Sequence, residues 1–257
     1  MKFNAPKKRF GQNFLHDANI IGKIIDFIRP AAEDHIVEIG PGRGAITRAL
    51  SYQVEHVDVV EIDRDLADAL EALEWPSTVE VHRGDALKFD FSTLPKTGEK
   101  LRLVGNLPYN ISTPLLFHFL DSAELFTDMH VMLQKEVIER MAAEPGSKQY
   151  GRLTVMLAAR CEVEHLFNIK PNSFTPAPKV DSSFARLTPS AIPLVNAEIY
   201  PTYKQVVTAA FGMRRKTLNN ALKGLLDTEQ IEDAGIDPGL RAEVLSPSEF
   251  LLLAEQL

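Results

Sequence analysis

Val37-Glu38-Ile39-Gly40-Pro41-Gly42-Arg43-Gly44-Ala45 runs from an apolar strand end into a helix start through three glycines in five residues. Glycine tolerates positive φ and lets backbone approach a ligand closely. The stretch therefore reads as a ligand loop at the carboxyl end of a strand. Outward from it the chain alternates. Upstream, Ile20, Ile21, Ile24, Ile25 and Ile28 have helical spacing that Pro30 ends. Downstream, strands are expected at 56–63, 79–84, 101–106 and 129–133. Helices are expected at 45–52, 64–73, 114–120 (capped by Ser112 or Thr113, with Pro114 in its first turn) and 136–143. Strand–helix alternation of this kind predicts a Rossmann-like, doubly wound α/β sheet. A further helix is expected at 152–160. Two strands at 162–169 and 182–187, joined by a proline-rich loop, add an antiparallel edge hairpin. Pro189-Ser190-Ala191-Ile192-Pro193 reads as a linker. Beyond it, a basic helix-like segment at 203–226 and apolar runs at 228–234 and 248–256 predict a small C-terminal helical domain. The expected domains are 1–188 and 189–257.

The chain has 257 residues, 45% hydrophobic and 25% charged, as in a soluble globular protein. No apolar run approaches the ~18 residues a membrane span needs, and the N-terminus lacks the apolar core of a secretory signal. Cys161 is the only cysteine, which excludes an intrachain disulfide and makes a reducing cytoplasm the expected home. The seven histidines show no i+3 or i+4 pairs, so no metal site is expected. No surplus apolar helix calls for a partner, so a monomer is expected. Net charge is −7, yet residues 1–29 carry six cations against two acids, and residues 204–223 carry five cations and no acid. Such segments on an acidic body fit either a phosphate-binding face or two solvated helices.

The strand ends carry polar groups in order: Glu61 after the second, Asp85 in Gly84-Asp85-Ala86 after the third, Asn106 after the fourth. Ligands of open α/β sheets bind at such ends. A carboxylate at Glu61 suits ribose hydroxyls, and one at Asp85 suits an adenine amine. Asn106-Leu107-Pro108-Tyr109 then adds an amide, a proline-stiffened carbonyl and a ring. The exocyclic amine of adenine is a poor nucleophile because its lone pair is delocalised. Two acceptors, the Asn106 side-chain oxygen and the Leu107 or Pro108 carbonyl, would localise that pair. Tyr109 offers a stacking face. Gly40-x-Gly42-x-x-Ala45 with Glu61 also fits the relaxed dinucleotide fingerprint, so a nicotinamide or flavin oxidoreductase stands as a competing reading.

These motifs, together with Arg9-Phe10-Gly11-Gln12-Asn13-Phe14-Leu15, Phe174-Thr175-Pro176-x-Pro178-x-Val180-Asp181-Ser182 and Phe211-x-x-Arg214-Arg215-Lys216-Thr217, resemble the rRNA adenine dimethyltransferases over nearly the whole chain. The C-terminal segments are similar to the branch that modifies small-subunit rRNA. The resemblance implies an S-adenosylmethionine-dependent methyltransferase domain at 1–188 and an RNA-binding domain at 189–257. It implies cofactor contacts from Asn13, Leu15, Gly40, Gly42, Glu61, Asp85 and Asn106, and catalysis by Asn106, Leu107, Pro108 and Tyr109. It implies substrate contacts from Tyr109, Phe174, Arg214, Arg215 and Lys216. The implied activity is dimethylation of two adjacent adenosines in a 3′-terminal hairpin loop of small-subunit rRNA within an immature subunit. A non-catalytic assembly factor and a large-subunit rRNA adenine methylase are the alternatives. Arg43 stands where many family members carry an apolar residue.

Overall fold

The computed structural model describes residues 6–7, 11–94, 100–213 and 215–257. Among the described residues nine strands form: β1 (Phe14–Leu15), β2 (His35–Ile39), β3 (His56–Glu61), β4 (Thr78–Arg83), β5 (Leu101–Asn106), β6 (Phe126–Gln134), β7 (Cys161–Ile169), β8 (Phe174–Thr175) and β9 (Ser182–Pro189). Between them lie α1 (Ala18–Ile28), α2 (Ala45–Leu50), α3 (Arg64–Glu71), α4 (Ser112–Asp121), α5 (Lys135–Met141) and α6 (Arg152–Ala158). After them come α7 (Tyr200–Gly212), α8 (Leu218–Ala221), α9 (Thr228–Asp233) and α10 (Pro247–Ala254). Among the described residues no helix is long and apolar enough to cross a membrane.

Seven strands make one sheet in the order β4-β3-β2-β5-β6-β9-β7. The pairings from β4 through β6 are parallel, and β9 runs antiparallel to β6. All five residues of β2 are buried, as a central parallel strand covered on both faces requires. Strand order reverses between β2 and β5, which opens a crevice at their carboxyl ends. On one face, Ile24 and Ile28 of α1 pack into a cluster with Ile36, Val57 and Val59. Each such side chain contributes about 1.5–3 kcal/mol on burial. Asp17 caps α1 by accepting from the backbone N–H groups of Asn19 and Ile20, and Arg29 in the left-handed region ends it before Pro30. At α4 the expected serine cap does not form. Ser112 lies inside the helix, and its Oγ donates to the Tyr109 carbonyl at 3.2 Å. A second, two-stranded sheet pairs β1 with β8, Leu15 opposite Phe174.

Contacts divide the chain into two units: residues through Ile138 with Glu164–Thr188, and Glu139–Val163 with Pro189–Leu257. Where domains of 1–188 and 189–257 are expected, 139–163 groups with the C-terminal helices. Hydrogen bonds hold it there. Ser190 N donates to the Arg160 carbonyl at 2.8 Å, Tyr150 Oη to Leu245 O at 2.7 Å, and Tyr203 Oη to Val155 O at 3.4 Å. The expected single segment 203–226 is broken. α7 stops at Gly212 and α8 is one turn, so Arg215 and Lys216 lie in a turn between them.

Candidate active site

A cavity of about 280 Å³ opens at the carboxyl ends of β2, β3, β4 and β5. The glycine loop forms one wall. Gly42 holds φ +59°, and a Cβ there would lie 2.9 Å from the Phe14 ring. Gly40 also lines the cavity with φ +64°, and a Cβ there would meet nothing within 4 Å. Gly42 is thus fixed by packing and φ, whereas Gly40 leaves backbone open to a ligand. Arg43 packs its guanidinium over the Phe14 ring at 4.5 Å, so the charged residue at this position is accommodated by a cation–π contact. Residues 11–15 close over the loop from the other side. Gln12 Nε2 donates to Asp63 Oδ2 at 3.0 Å, and Lys7 Nζ pairs with Asp63 at 2.6 Å and Asp65 at 2.7 Å. One cation of the basic N-terminal segment is therefore engaged within the protein.

Two buried carboxyls stand beside each other at the cavity wall. Glu61 Oε1 accepts from Asp63 N at 2.8 Å and Oε2 from Gly42 N at 3.2 Å, so it fixes the glycine loop. Burial raises its pKa, and the backbone donors oppose that rise. Glu38 accepts from Thr47 Oγ1 at 2.6 Å. Burial, with the Glu61 charge adding to it, pushes Glu38 from 4.5 up to about 7. The folded protein thus keeps a proton on Glu38 at pH values where the unfolded chain has lost it. Stability then declines as pH rises from about 4.5 to about 7, by about 3 kcal/mol at most for the whole interval. Urea unfolding at about pH 5 and about pH 8 should show this decline, and Glu38→Gln should flatten it. An unchanged slope in the variant would place the titration elsewhere. The carboxyls held low, such as Asp63 and Asp128 (the latter at about 2), act below this window.

Asp85 Oδ1 accepts from Leu87 N at 3.0 Å, which sets the turn after β4 and keeps the carboxylate at the cavity. Asn106 ends β5. Its Nδ2 donates to the Asn13 carbonyl at 2.9 Å, which fixes the amide flip. Leu107 N donates to Met132 O at 3.1 Å, and the buried Leu107 side chain anchors the loop. The Pro108 carbonyl accepts from Ile111 N at 3.1 Å and closes the turn. Tyr109 is pinned by a 2.6 Å bond between its hydroxyl and Ser182 Oγ on β9, and burial raises its pKa.

The cavity thus brings together Asn13, Leu15, Gly40, Gly42, Glu61 and Asp85 with Asn106, Leu107, Pro108 and Tyr109. Phe174, expected against a base, does not line the cavity. It is 3% exposed, pairs with Leu15 and packs into the apolar cluster, because β8 turns it toward the sheet core. Arg215 and Lys216 are exposed in the second unit, and Arg214 lies outside the described residues. Sequence reasoning passed over Glu38, Ile62 and Leu87, which also line the cavity. The signal for Ile62 was present: an apolar residue directly after the strand-ending acid, 47% exposed.

A parallel sheet of this order, an antiparallel strand beside it and polar groups at successive strand ends define a Rossmann-like methyltransferase. Residues 3–257 match the ribosomal RNA adenine dimethylase family, to which the chain therefore belongs. A "Ribosomal RNA small subunit methyltransferase A" of Pseudomonas aeruginosa is 53% identical over 252 residues, 98% of this chain and 94% of that one. A solved dimethyladenosine transferase from Plasmodium falciparum superposes with a TM-score of 0.74 at 28% identity, covering 93% of this chain and 95% of the other. The 23S rRNA methyltransferase ErmE gives 0.69 at 28% identity, covering 95% and 99%.

Proposed function

We propose that this enzyme uses S-adenosylmethionine to dimethylate the exocyclic N6 amines of two adjacent adenosines in a 3′-terminal hairpin loop of small-subunit (16S) rRNA, acting as a monomer on the immature subunit. The near-full-length identity to a small-subunit methyltransferase A favours this substrate over large-subunit RNA. The observation that carries the chemistry is the Asn106–Asn13 bond, which commits the Asn106 amide to presenting oxygen, not nitrogen, to an amine.

The cavity residues fit the cofactor. Gly40 leaves backbone space, Glu61 keeps lone pairs for ribose hydroxyls, and Asp85 has Oδ2 available in addition to the oxygen that sets its turn. When bound, S-adenosylmethionine supplies a methyl group activated by the sulfonium charge. The protein's own work is positioning. Asn106 Oδ1 accepts one N–H of the amine and a neighbouring carbonyl accepts the other. Because Pro108 O already closes the turn, Leu107 O is the better second acceptor. Both acceptors stabilise positive charge developing on nitrogen. The ammonium formed in each transfer, secondary in the first and tertiary in the second, is acidic, so water removes one proton each time and no side-chain base is needed. Tyr109 provides a stacking face of about 1–3 kcal/mol for a base already free of duplex pairing.

Immature small subunits incubated with the protein and labelled methyl donor should gain two dimethyladenosines by mass spectrometry. Label appearing in large-subunit RNA alone would refute the assignment. In the second unit, Arg215→Glu and Lys216→Glu should each weaken RNA binding and make log K against log[salt] shallower by about 1. An unchanged salt slope would remove this turn from the interface.

A further inference from the structure

His35 opens β2, His56 and Asp58 lie in the first half of β3, and His82 lies near the end of β4; together they make a second polar centre that does not line the cavity. Asp58 in β3 is fully buried. Alternation puts His56 and Asp58 on one face of β3. Parallel register sets His35 beside His56 on that face and places His82 two positions beyond Glu80, the partner of Asp58. Three imidazoles converge on one carboxylate. His35 Nε2 hydrogen-bonds Asp58 Oδ2, His82 Nε2 lies 2.6 Å from Oδ1, and His56 Nε2 lies 3.3 Å from Oδ2. His56 Nε2 is buried and makes no hydrogen bond. His35 Nε2, His56 Nε2 and Asp58 Oδ2 all lie within 4.8 Å of one another.

We infer that His35, His56 and Asp58 form a binding site for a borderline divalent transition ion, Zn²⁺ foremost. Two imidazoles and a carboxylate suit zinc, whereas magnesium and calcium prefer all-oxygen sets. Ligand atoms about 2.0–2.2 Å from a tetrahedral zinc are separated by about 3.3 Å, which the His56–Asp58 pair already matches. His35 exchanges its hydrogen bond for the metal and carries its proton on Nδ1. His56 supplies a nitrogen that makes no hydrogen bond and already lies 3.3 Å from Asp58 Oδ2. His82 does not ligate: it holds Asp58 through the second oxygen, as outer partners of ligating groups do. The side chain of His56 is 29% exposed, which gives the ion its entry and a water its fourth position. Asp58, Glu80 and His82 form an overlapping cluster, but Glu80 is exposed, so the buried set is favoured. Asp58 precedes Glu61 by three strand residues, about 10 Å, so the ion ties β2 to β3 and takes no part in the cavity.

Full-length protein stripped of metal and titrated with Co²⁺ should develop a visible d–d band that saturates at one ion per chain. Zn²⁺ should displace it and raise Tm. His56→Ala should abolish the band, with circular dichroism checking that the variant is folded. His82→Ala should keep the band with affinity lowered about 10- to 100-fold. Glu80→Ala should leave it unchanged, which holds the inference to the buried set even if His56→Ala fails to fold. No band at stoichiometric Co²⁺, a band that survives His56→Ala, or one lost in Glu80→Ala would overturn the site.

Discussion

Asn106→Ala should lower the rate of methyl transfer by about 10²- to 10³-fold, equivalent to about 2.7–4 kcal/mol of lost transition-state stabilisation, the size associated with removing one preorganised polar group. The side chain does two things. Its nitrogen holds the Asn13 carbonyl, and in the proposed mechanism its oxygen accepts from the substrate amine. Single-turnover kinetics separate these roles. Loss of the acceptor lowers the chemical step, whereas loosening of the 11–15 segment raises the apparent constant for the methyl donor. Asn106→Asp keeps an acceptor but sets a carboxylate against the Asn13 carbonyl. It should therefore weaken donor binding more than Asn106→Ala does while retaining more of the chemical step. If Asn106→Ala turns over at a rate within tenfold of the parent enzyme, the amide is not the group that prepares the amine.

The parts of this site that a reader of the sequence can find are those fixed by short-range rules. The glycine loop, Glu61, Asp85 and Asn106 each close a strand whose apolar run is visible, and a parallel sheet gathers strand ends at one edge without further information. What escapes is set by pairing between distant segments. Residues 14–15 and 174–175 are far apart in sequence, and their two-residue pairing has no periodicity to announce it. That pairing places Phe174 in the apolar cluster. The break between α7 and α8 is hidden because Arg214, Arg215 and Lys216 are all good helix formers. The histidines around Asp58 come from three strands, so helix-type spacing rules pass over them. Glu38 sits between two apolar neighbours in a strand buried on both faces, and only the fold reveals a carboxyl raised to about 7.

Glu61→Ala should be the most damaging change on the cofactor side of the cavity, because one side chain serves two purposes. Its oxygens satisfy the buried N–H groups of Gly42 and Asp63. Leaving each donor without a partner costs about 1–3 kcal/mol, so a total loss of roughly 2–6 kcal/mol and a Tm lower by roughly 4–24 °C are expected for a chain of this size. The Gly42 amide belongs to a loop held at positive φ against Phe14, so its release loosens the wall that faces the ligand. Binding of S-adenosylmethionine should fall by a further ~10- to 100-fold through loss of the ribose acceptor. Calorimetry well below the lowered Tm distinguishes this from unfolding. Glu61→Gln tests the division of labour, since it preserves one oxygen for Asp63 but turns an amino group toward the Gly42 N–H or the sugar. Its stability should lie between those of parent and alanine variant, with donor affinity near that of the alanine variant. Removing the Glu61 charge also relieves Glu38, so the pH midpoint of the Glu38 effect should move down from about 7 in both variants. Donor affinity within threefold of the parent, with Tm reduced as expected, would restrict Glu61 to bracing the loop and dismiss it as the group that recognises the nucleoside.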